Sequence, residues 1–248
     1  MNILALDCAV SKINIAIKFG DKMVSQTYDI GMRQSEILVP AVDDILKKAE
    51  ISVSDLDCTA LTIGPGSFTG LRLGISALKA IELAYNIPIY GISSLKIYSY
   101  AYKNLGMPVL CCIDANKDRF YACIFDKNGN TILQDGDYEI QEIIKKLDFD
   151  KVLIVGSGAN KFFEILQNFN IKFKPFLLKN ADNYAACLLE IAEQMYVNNE
   201  QPLQDYDGPV YLRASEAELK LGKQLSDDSP REAIHCNEHK VRNEADER

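Results

Sequence analysis

The sequence predicts an α/β fold with mixed sheets, built from two similar halves. Short β-rich apolar runs alternate with amphipathic helix patterns, which is typical of α/β proteins. Two features also recur in the same order along the chain: a strand–aspartate–turn–strand hairpin, and an apolar strand that enters a Gly-x-Gly turn before a helix. This repetition predicts two subdomains of similar topology.

The first recurring feature is a hairpin with an aspartate at the end of its first strand. Residues 3–6 form an apolar run that ends at Asp7, and after a short turn apolar residues alternate along 13–19. The pattern returns at 109–113, which ends at Asp114, 107 residues after Asp7. Alternation with a period of two indicates a strand with one buried face.

The second recurring feature is a glycine turn between a strand and a helix. Residues 59–63 run into Gly-Pro-Gly-Ser at 64–67, and residues 151–155 run into Gly-Ser-Gly at 156–158. Glycine is the residue that most readily adopts the backbone angles of such turns.

Helical patterns fill the gaps between the strands. The segment 35–50 has an apolar stripe that includes Leu38 and Val42, although Pro40 leaves the start of the helix open. Further elements are expected as a strand at 87–92, a hairpin turn at 126–130, and helices at 70–86, 94–104 and 182–197.

Three regions follow from this pattern. We expect an N-terminal subdomain at 1–106, a C-terminal subdomain at 107–221 and a polar tail at 222–248. The tail has almost no large apolar residues, so it cannot bury enough surface to offset its chain entropy and is predicted to be disordered.

Charge, membrane and cysteine patterns narrow the function classes. A net charge of -8 makes the chain a poor candidate for a main RNA-gripping surface, because a polyanion is repelled on average. No apolar run is long enough to cross a bilayer and no signal peptide is evident, so a cytoplasmic location is expected. The seven cysteines include no C-x-x-C pair and are expected to act as small apolar residues.

Histidine gives a sharper constraint. The two histidines, His235 and His239, both lie in the tail. Histidine-based acid–base catalysis and histidine-ligated metal sites are therefore excluded from residues 1–221. The i, i+4 spacing of the pair is interpreted as incidental, and no metal site is predicted.

The glycine turn at 64–70 is the strongest candidate for binding chemistry. Free amides at the start of a helix can hold an anion, but the turn lacks the Gly-Lys-Ser/Thr of a Walker loop. The alternative is a purely structural turn in which Ser67 or Thr69 caps the helix. The candidate nucleotide- or anion-binding residues are Asp7, Gly64, Gly66, Ser67, Thr69, Asp114, Gly156 and Gly158.

The helix pattern at 70–86 carries apolar residues around most of its circumference. Such a helix is either buried between other elements or covered by a partner. The small residues Gly70, Gly74 and Ala77 would let a second helix approach its backbone. The candidate interface residues are Leu38, Val42, Gly70, Leu71, Gly74, Ile75, Ala77, Leu78 and Ile81.

The eleven residues 64–74, GPGSFTGLRLG, resemble the signature of the bacterial TsaB (YeaZ) family, the dimerisation subunits of the complex that makes threonylcarbamoyladenosine in tRNA. The segment 33–36, the Asp114-Ala115 hairpin and the closing Tyr-Leu-Arg at 211–213 follow in the family's order.

The resemblance implies a duplicated actin-like fold, like that of the heat-shock-chaperone ATPases. It also implies a non-catalytic scaffold that dimerises with the TsaD-like catalytic paralogue, recruits a TsaE-like ATPase and meets tRNA indirectly. A homodimer is expected when the chain is alone. No cofactor is required, although ATP or ADP could bind at the interface of the complex.

Two positions depart from the family's pattern. Gln34 stands where the family often has histidine, and Cys8-Ala9 stands where Thr-Ser is common. The second change removes two hydroxyls from a loop that could contact phosphate. The histidine pair that binds metal in the catalytic paralogue has no counterpart in residues 1–221.

Two other classes of function remain open from the residues. One is an enzyme, either a small-molecule kinase of the actin-like superfamily or a glycoprotease-type peptidase. Asp7, Asp114 and the two glycine turns supply only part of a kinase site, and no nucleophile–base arrangement supports a peptidase. The other class is an independent homodimeric binding protein.

Overall fold

The computed structural model describes residues 1–31, 33–178 and 183–213. Its strands are β1 (Ile3–Asp7), β2 (Lys12–Phe19), β3 (Lys22–Asp29), β4 (Cys58–Gly64), β5 (Ile89–Ser93), β6 (Val109–Asp114), β7 (Arg119–Phe125), β8 (Thr131–Glu139), β9 (Lys151–Val155) and β10 (Lys174–Leu177). Its α-helices are α1 (Gln34–Ala49), α2 (Phe68–Tyr85), α3 (Ser94–Tyr100), α4 (Ile140–Ile144), α5 (Ala159–Leu166) and α6 (Ala185–Val197).

The two halves of the chain have the same topology. The first sheet has the strand order β3-β2-β1-β4-β5, and the second has the order β8-β7-β6-β9-β10. In each, the first three strands are antiparallel and the last two join in parallel. The helices also occur at equivalent places, so the predicted duplication is confirmed and the fold is a duplicated α/β fold with mixed sheets. We call β1–β5 with α1–α3 the first lobe, and β6–β10 with α4–α6 the second lobe.

A shared helical layer joins the two lobes. Both α3 and α6 lie between the sheets, and each packs against strands of the other lobe: α6 against β1 and β4, and α3 against β6. The apolar core of this layer combines residues of both sheets, among them Ala5, Ala60, Cys111 and Val155. Separate cores lie under α1 and α2 in the first lobe and under α4 and α5 in the second.

Several predicted boundaries shift in the structure. The helix expected to reach residue 104 ends at Tyr100, and the helix expected from 182 begins at Ala185, residue 182 being outside the described residues. Helix α1 begins at Gln34 and continues through Pro40, whose side chain is exposed. Strands β3, β8 and β10 were not predicted, because their partly exposed faces weaken the apolar alternation.

Residues 1–213 form one compact unit. The boundary near residue 106 therefore remains a prediction, and the tail expected at 222–248 lies outside the described residues. Within the described ranges, no helix is long and apolar enough to cross a membrane. Among the described residues, five of the six cysteines are buried free thiols, as predicted (Cys8, Cys58, Cys111, Cys112 and Cys123); Cys187 is partly buried, and Cys236 lies outside the described residues.

Candidate functional site

Asp7 is a buried carboxylate at the end of β1. Its Oδ1 accepts hydrogen bonds from the Ala9 amide at 3.0 Å and from the Thr62 hydroxyl at 2.8 Å. Its Oδ2 accepts a bond from Asn14 Nδ2 at 3.3 Å, and Asn14 in turn accepts from the Thr27 hydroxyl. Burial raises the pKa of Asp7 above its ordinary value, and these neutral donors only partly offset that rise.

Asp114, the equivalent residue in the second lobe, has different partners. Its carboxylate is about a third exposed and forms an ion pair with Lys161 of α5, whose Nζ lies 2.9 Å from Oδ1. Oδ1 also accepts a bond from the Asn116 amide at 2.9 Å. The two aspartates therefore share a place in the topology but not a chemistry.

The glycine turn after β4 packs tightly against the turn of the first hairpin. A Cβ at Gly66 would collide with the carbonyl of Ala9, and one at Gly70 would collide with the carbonyl of Cys8. The Ser67 amide donates to the Ala9 carbonyl at 2.7 Å, and the Ser67 hydroxyl accepts from the Gly70 amide as the cap of α2. The Ser67 and Gly70 amides are therefore bound within the protein, and Ser67 caps α2 as the structural interpretation of the turn expects.

The second glycine turn is packed just as closely, against the end of β6. A Cβ at Gly158 would lie 2.6 Å from the Asp114 amide nitrogen, and one at Gly156 would collide with the Cys112 carbonyl. The Gly158 amide donates to that carbonyl at 3.0 Å. In both lobes, therefore, the glycines allow the turn to lie directly on the end of the neighbouring strand.

A polar cleft lies between the lobes. Its volume is about 230 Å³, below the roughly 300–1,000 Å³ of ordinary small-molecule pockets. Of the candidate anion-binding residues, only Asp7 and Gly156 line it; Gly64, Gly66, Ser67, Thr69, Asp114 and Gly158 do not. The other residues that line it are Val10, Ser11, Lys12, Asn14, Tyr98, Ser157, Asn160, Leu178 and Tyr184.

None of these other cleft residues is among the candidates that the sequence predicts. Ser157 sits inside the second Gly-x-Gly turn and Lys12 directly follows the first hairpin turn, so position in the repeat could have indicated both. Tyr98 and Tyr184 come from α3 and the start of α6, and their rings meet edge to face at 4.6 Å. Only the packing of α3 and α6 between the sheets brings the two tyrosines together.

Both lobe aspartates are engaged by protein groups. Asp7 accepts three hydrogen bonds from the protein, and Asp114 is paired with Lys161 outside the cleft. Within residues 1–31, 33–178 and 183–213, no group of three or more His, Cys, Asp or Glu side chains is placed to hold a metal ion.

Helix α2 buries one face in the first lobe. Leu71 is 1% exposed and Leu78 is fully buried, both in the core beneath the helix. Seven of the nine predicted interface residues are core residues of the monomer: Leu38, Val42, Gly70, Leu71, Gly74, Ile75 and Leu78. That part of the interface prediction is wrong, because the sequence shows that a helix is apolar but not which side the sheet covers.

The correction also changes the expected effect of one substitution. If Leu71 were a contact residue, as the sequence pattern predicts, Leu71→Asp would leave a folded chain that no longer pairs. Because Leu71 lies in the core, Leu71→Asp would bury an unpaired carboxylate and destabilise the monomer.

A second apolar face of α2 remains at the surface. Its residues, which we call the α2 stripe, are Leu73, Ala77, Ala80, Ile81 and Ala84. Ala80 and Ala84 are exposed, and the other three are partly buried. Nearby on the helix surface Leu83 is 90% exposed, and on the adjacent α1 Val39 is 67% exposed. The structure thus keeps Ala77 and Ile81 of the predicted interface at the surface.

The similarity to known proteins covers both lobes of the chain. The family TsaD, described as tRNA N6-adenosine threonylcarbamoyltransferase, matches residues 31–220. The TsaB protein of Escherichia coli, named for tRNA threonylcarbamoyladenosine biosynthesis, is 29% identical over 89% of this chain and 98% of its own length. The Bacillus subtilis TsaB protein is 26% identical over 89% of this chain and 97% of its own.

A solved structure shares the fold. YeaZ from Pseudomonas aeruginosa superposes with a TM-score of 0.70 at 24% sequence identity, covering 85% of this chain and 100% of that one. The likeness thus extends through both lobes. The chain belongs to the TsaD family and, within it, resembles the TsaB (YeaZ) proteins along most of its length.

Proposed function

We propose that this chain is the accessory, non-catalytic subunit of a complex that makes threonylcarbamoyladenosine in tRNA. It pairs with a TsaD-like catalytic subunit through the α2 stripe. The names of the TsaB relatives and the match to the TsaD family support the process and the partner. The geometry supports the accessory role, because both lobe aspartates are already engaged by protein groups.

The partly exposed α2 stripe is the observation that carries the proposal. Alanines at 77, 80 and 84 recur at helical spacing, so a partner helix could approach the backbone closely, with Leu73 and Ile81 at its sides. Covering such a face removes apolar surface from water, at about 25 cal/mol per Å². A single-face surface helix would place polar residues here instead.

The remaining partners in the proposal are those that the family resemblance implies. When the chain is alone, two copies would pair through the α2 stripe as a homodimer in the cytoplasm. The complex would recruit a TsaE-like ATPase, and ATP or ADP would bind at its interface. The chain needs no cofactor of its own in this scheme.

The test is to place a charge on the stripe without disturbing the core. Ala80→Arg projects a guanidinium from an exposed position, and we expect affinity for the cognate TsaD subunit to fall at least about tenfold, since a buried unpaired charge is costly. Binding is measured by calorimetry, and threonylcarbamoyladenosine formation is assayed with all the components. The modification rate at limiting subunit concentration should fall in parallel.

The matched control is Val197→Arg, which adds the same charge at an exposed apolar position at the end of α6. It should bind TsaD like the unchanged chain. Equal affinity of Ala80→Arg and Val197→Arg for the TsaD subunit would contradict the proposed interface. If the modification rate were unchanged when the whole chain is omitted, the accessory role itself would be contradicted.

A further inference from the structure

The last described segment of the chain crosses from one lobe to the other. After α6, residues 203–213, which we call the strap, return along the first lobe. The Leu203 amide donates to the Ile89 carbonyl of β5 at 2.8 Å, and the Val210 amide donates to the Ile63 carbonyl of β4 at 2.7 Å. Two backbone bonds thus attach the strap to the first sheet.

Tyr211 anchors the strap at the start of α2. Its ring stacks on Phe68 with centroids 4.2 Å apart and planes 6° from parallel. Arg72 Nε donates to the Tyr211 hydroxyl at 2.8 Å, and the guanidinium carbon lies 5.5 Å from the Tyr211 ring centroid. This combination of stacking, cation–π contact and hydrogen bond holds the strap on the first helical turn.

Arg213, two residues later, binds the second lobe. Its Nε donates to Asp137 Oδ2 on β8 at 2.7 Å, and its Nη1 donates to the Ala115 carbonyl at 2.9 Å. The side chain of Arg213 is 26% exposed and that of Asp137 is 15% exposed, so water screens the pair less than a surface ion pair. Close by, the Ser93 hydroxyl of β5 donates to Asp135 of β8, a second bond between the lobes.

From these contacts we propose that the strap mechanically couples the start of α2 in the first lobe to β8 in the second lobe. Arg213 is the latch on the second lobe and Tyr211 is the anchor on the first. Because only Leu212 separates them, the two ends cannot move independently. A partner that displaces Tyr211 from Phe68 would loosen the latch, and loss of the latch would free the anchor. This inference does not depend on which protein covers the α2 stripe.

The chain contains a matched control for the latch. The Asp137 carboxylate accepts hydrogen bonds from two arginines. One is Arg213 of the strap. The other is Arg119 on the neighbouring strand β7 of the same lobe, and its Nε donates to Asp137 Oδ1 at 2.9 Å. Arg213→Ala and Arg119→Ala each remove one cation from the same carboxylate. Only Arg213→Ala breaks a contact with the strap.

Hydrogen exchange on the full-length chain tests the coupling. In Arg213→Ala, we expect the Val210 amide and the amides of the first two turns of α2 to exchange about tenfold faster, because the anchor opens more often. In Arg119→Ala, those amides should exchange at the rate of the unchanged chain. Equal rates at α2 in Arg213→Ala and the unchanged chain, or equal acceleration in both variants, would overturn the proposal.

Coupling must also act in the opposite direction. Tyr211→Ala removes the anchor but leaves Arg213 and Asp137 intact, so it tests the proposal even if Arg213→Ala folds poorly. We expect the Asp137 carboxyl to titrate closer to its ordinary value in Tyr211→Ala, as followed by carbon-detected NMR. An Asp137 titration unchanged by Tyr211→Ala would show that the ends of the strap act separately.

Discussion

The two lobes have the same topology but differ in the helix that follows the glycine turn. In the first lobe the glycine turn leads into α2, which runs for 18 residues and has a second apolar face at the surface. In the second lobe the equivalent turn leads into α5, which runs for 8 residues. The glycines of both turns leave no room for a Cβ, although they contact different atoms, and the helices that follow also differ. The strand-end geometry is therefore the part of the repeat required by the fold, and the surface of the helix is the part free to acquire a partner.

The two lobe aspartates also differ, in their burial and in their hydrogen-bonding partners. Asp7 is 3% exposed and surrounded by neutral donors, whereas Asp114 is partly exposed and lies beside a lysine. Sequence position in the repeat predicts equal roles for the two, but Asp7 is buried among neutral donors and Asp114 forms a partly exposed ion pair. Three experiments test these differences between the lobes.

The largest effect is expected from the glycine turns. Gly66→Ala would force a Cβ into the Ala9 carbonyl, and Gly158→Ala would place one 2.6 Å from the Asp114 nitrogen, so each should lower the free energy of unfolding by about 3 kcal/mol. Urea unfolding measures the loss. Gly208→Ala, where a Cβ would have no atom within 4 Å, is the control and should stay within about 0.5 kcal/mol. If Gly66→Ala costs no more than Gly208→Ala, the turn does not pack as described.

An intermediate effect is expected from the aspartates. Asp7→Ala leaves the Ala9 amide, the Thr62 hydroxyl and Asn14 without their shared acceptor inside the core, which should cost about 2 kcal/mol. Asp114→Ala breaks a partly exposed ion pair and should cost at most about 1 kcal/mol. The measurement is again urea unfolding at neutral pH. Equal costs for the two substitutions would mean that burial does not separate the two aspartates.

The smallest effect is expected from pH. Burial opposes ionisation of Asp137, but hydrogen bonds from Arg213 and Arg119 outweigh it and hold its pKa below the ordinary 3.8. Asp137 therefore contributes stability that is present above about pH 4 and is lost as the pH falls further. Burial raises the pKa of Asp7, so its ionised form weakens the fold, and protonation on acidification relieves that penalty.

Urea unfolding across this pH range separates the two carboxyls. Asp137→Asn should flatten the loss of stability below about pH 4, and Asp7→Asn should flatten the change above it. Surface carboxylates such as Asp44 and Asp126, whose pKa values are also lowered by hydrogen bonds, remain in both variants and cancel in the comparison. A steeper acid loss in Asp137→Asn would contradict the assigned direction.

Much of the fold could be predicted from the sequence because it depends on local patterns. Apolar runs ending at Asp7 and Asp114, and glycine turns at 64–67 and 156–158, identify the repeated strands and the helices that follow them. These signals depend on residues that are close in the chain: side-chain period, turn-forming glycines and caps such as Ser67. The resemblance carried by 64–74 is of the same kind.

Which apolar residues face inward was decided only by the tertiary structure. Leu71 and Ala77 lie on one helix and are both apolar, yet the first is in the core and the second borders the surface, because the sheet beneath α2 covers only one side. The environments of Asp7 and Asp114 likewise depend on Thr62 and Lys161, respectively, each more than forty residues away in the chain. Burial and pairing are properties of neighbours in space, and a strap that joins Phe68 to Asp137 through Tyr211 and Arg213 exists only once the lobes have packed.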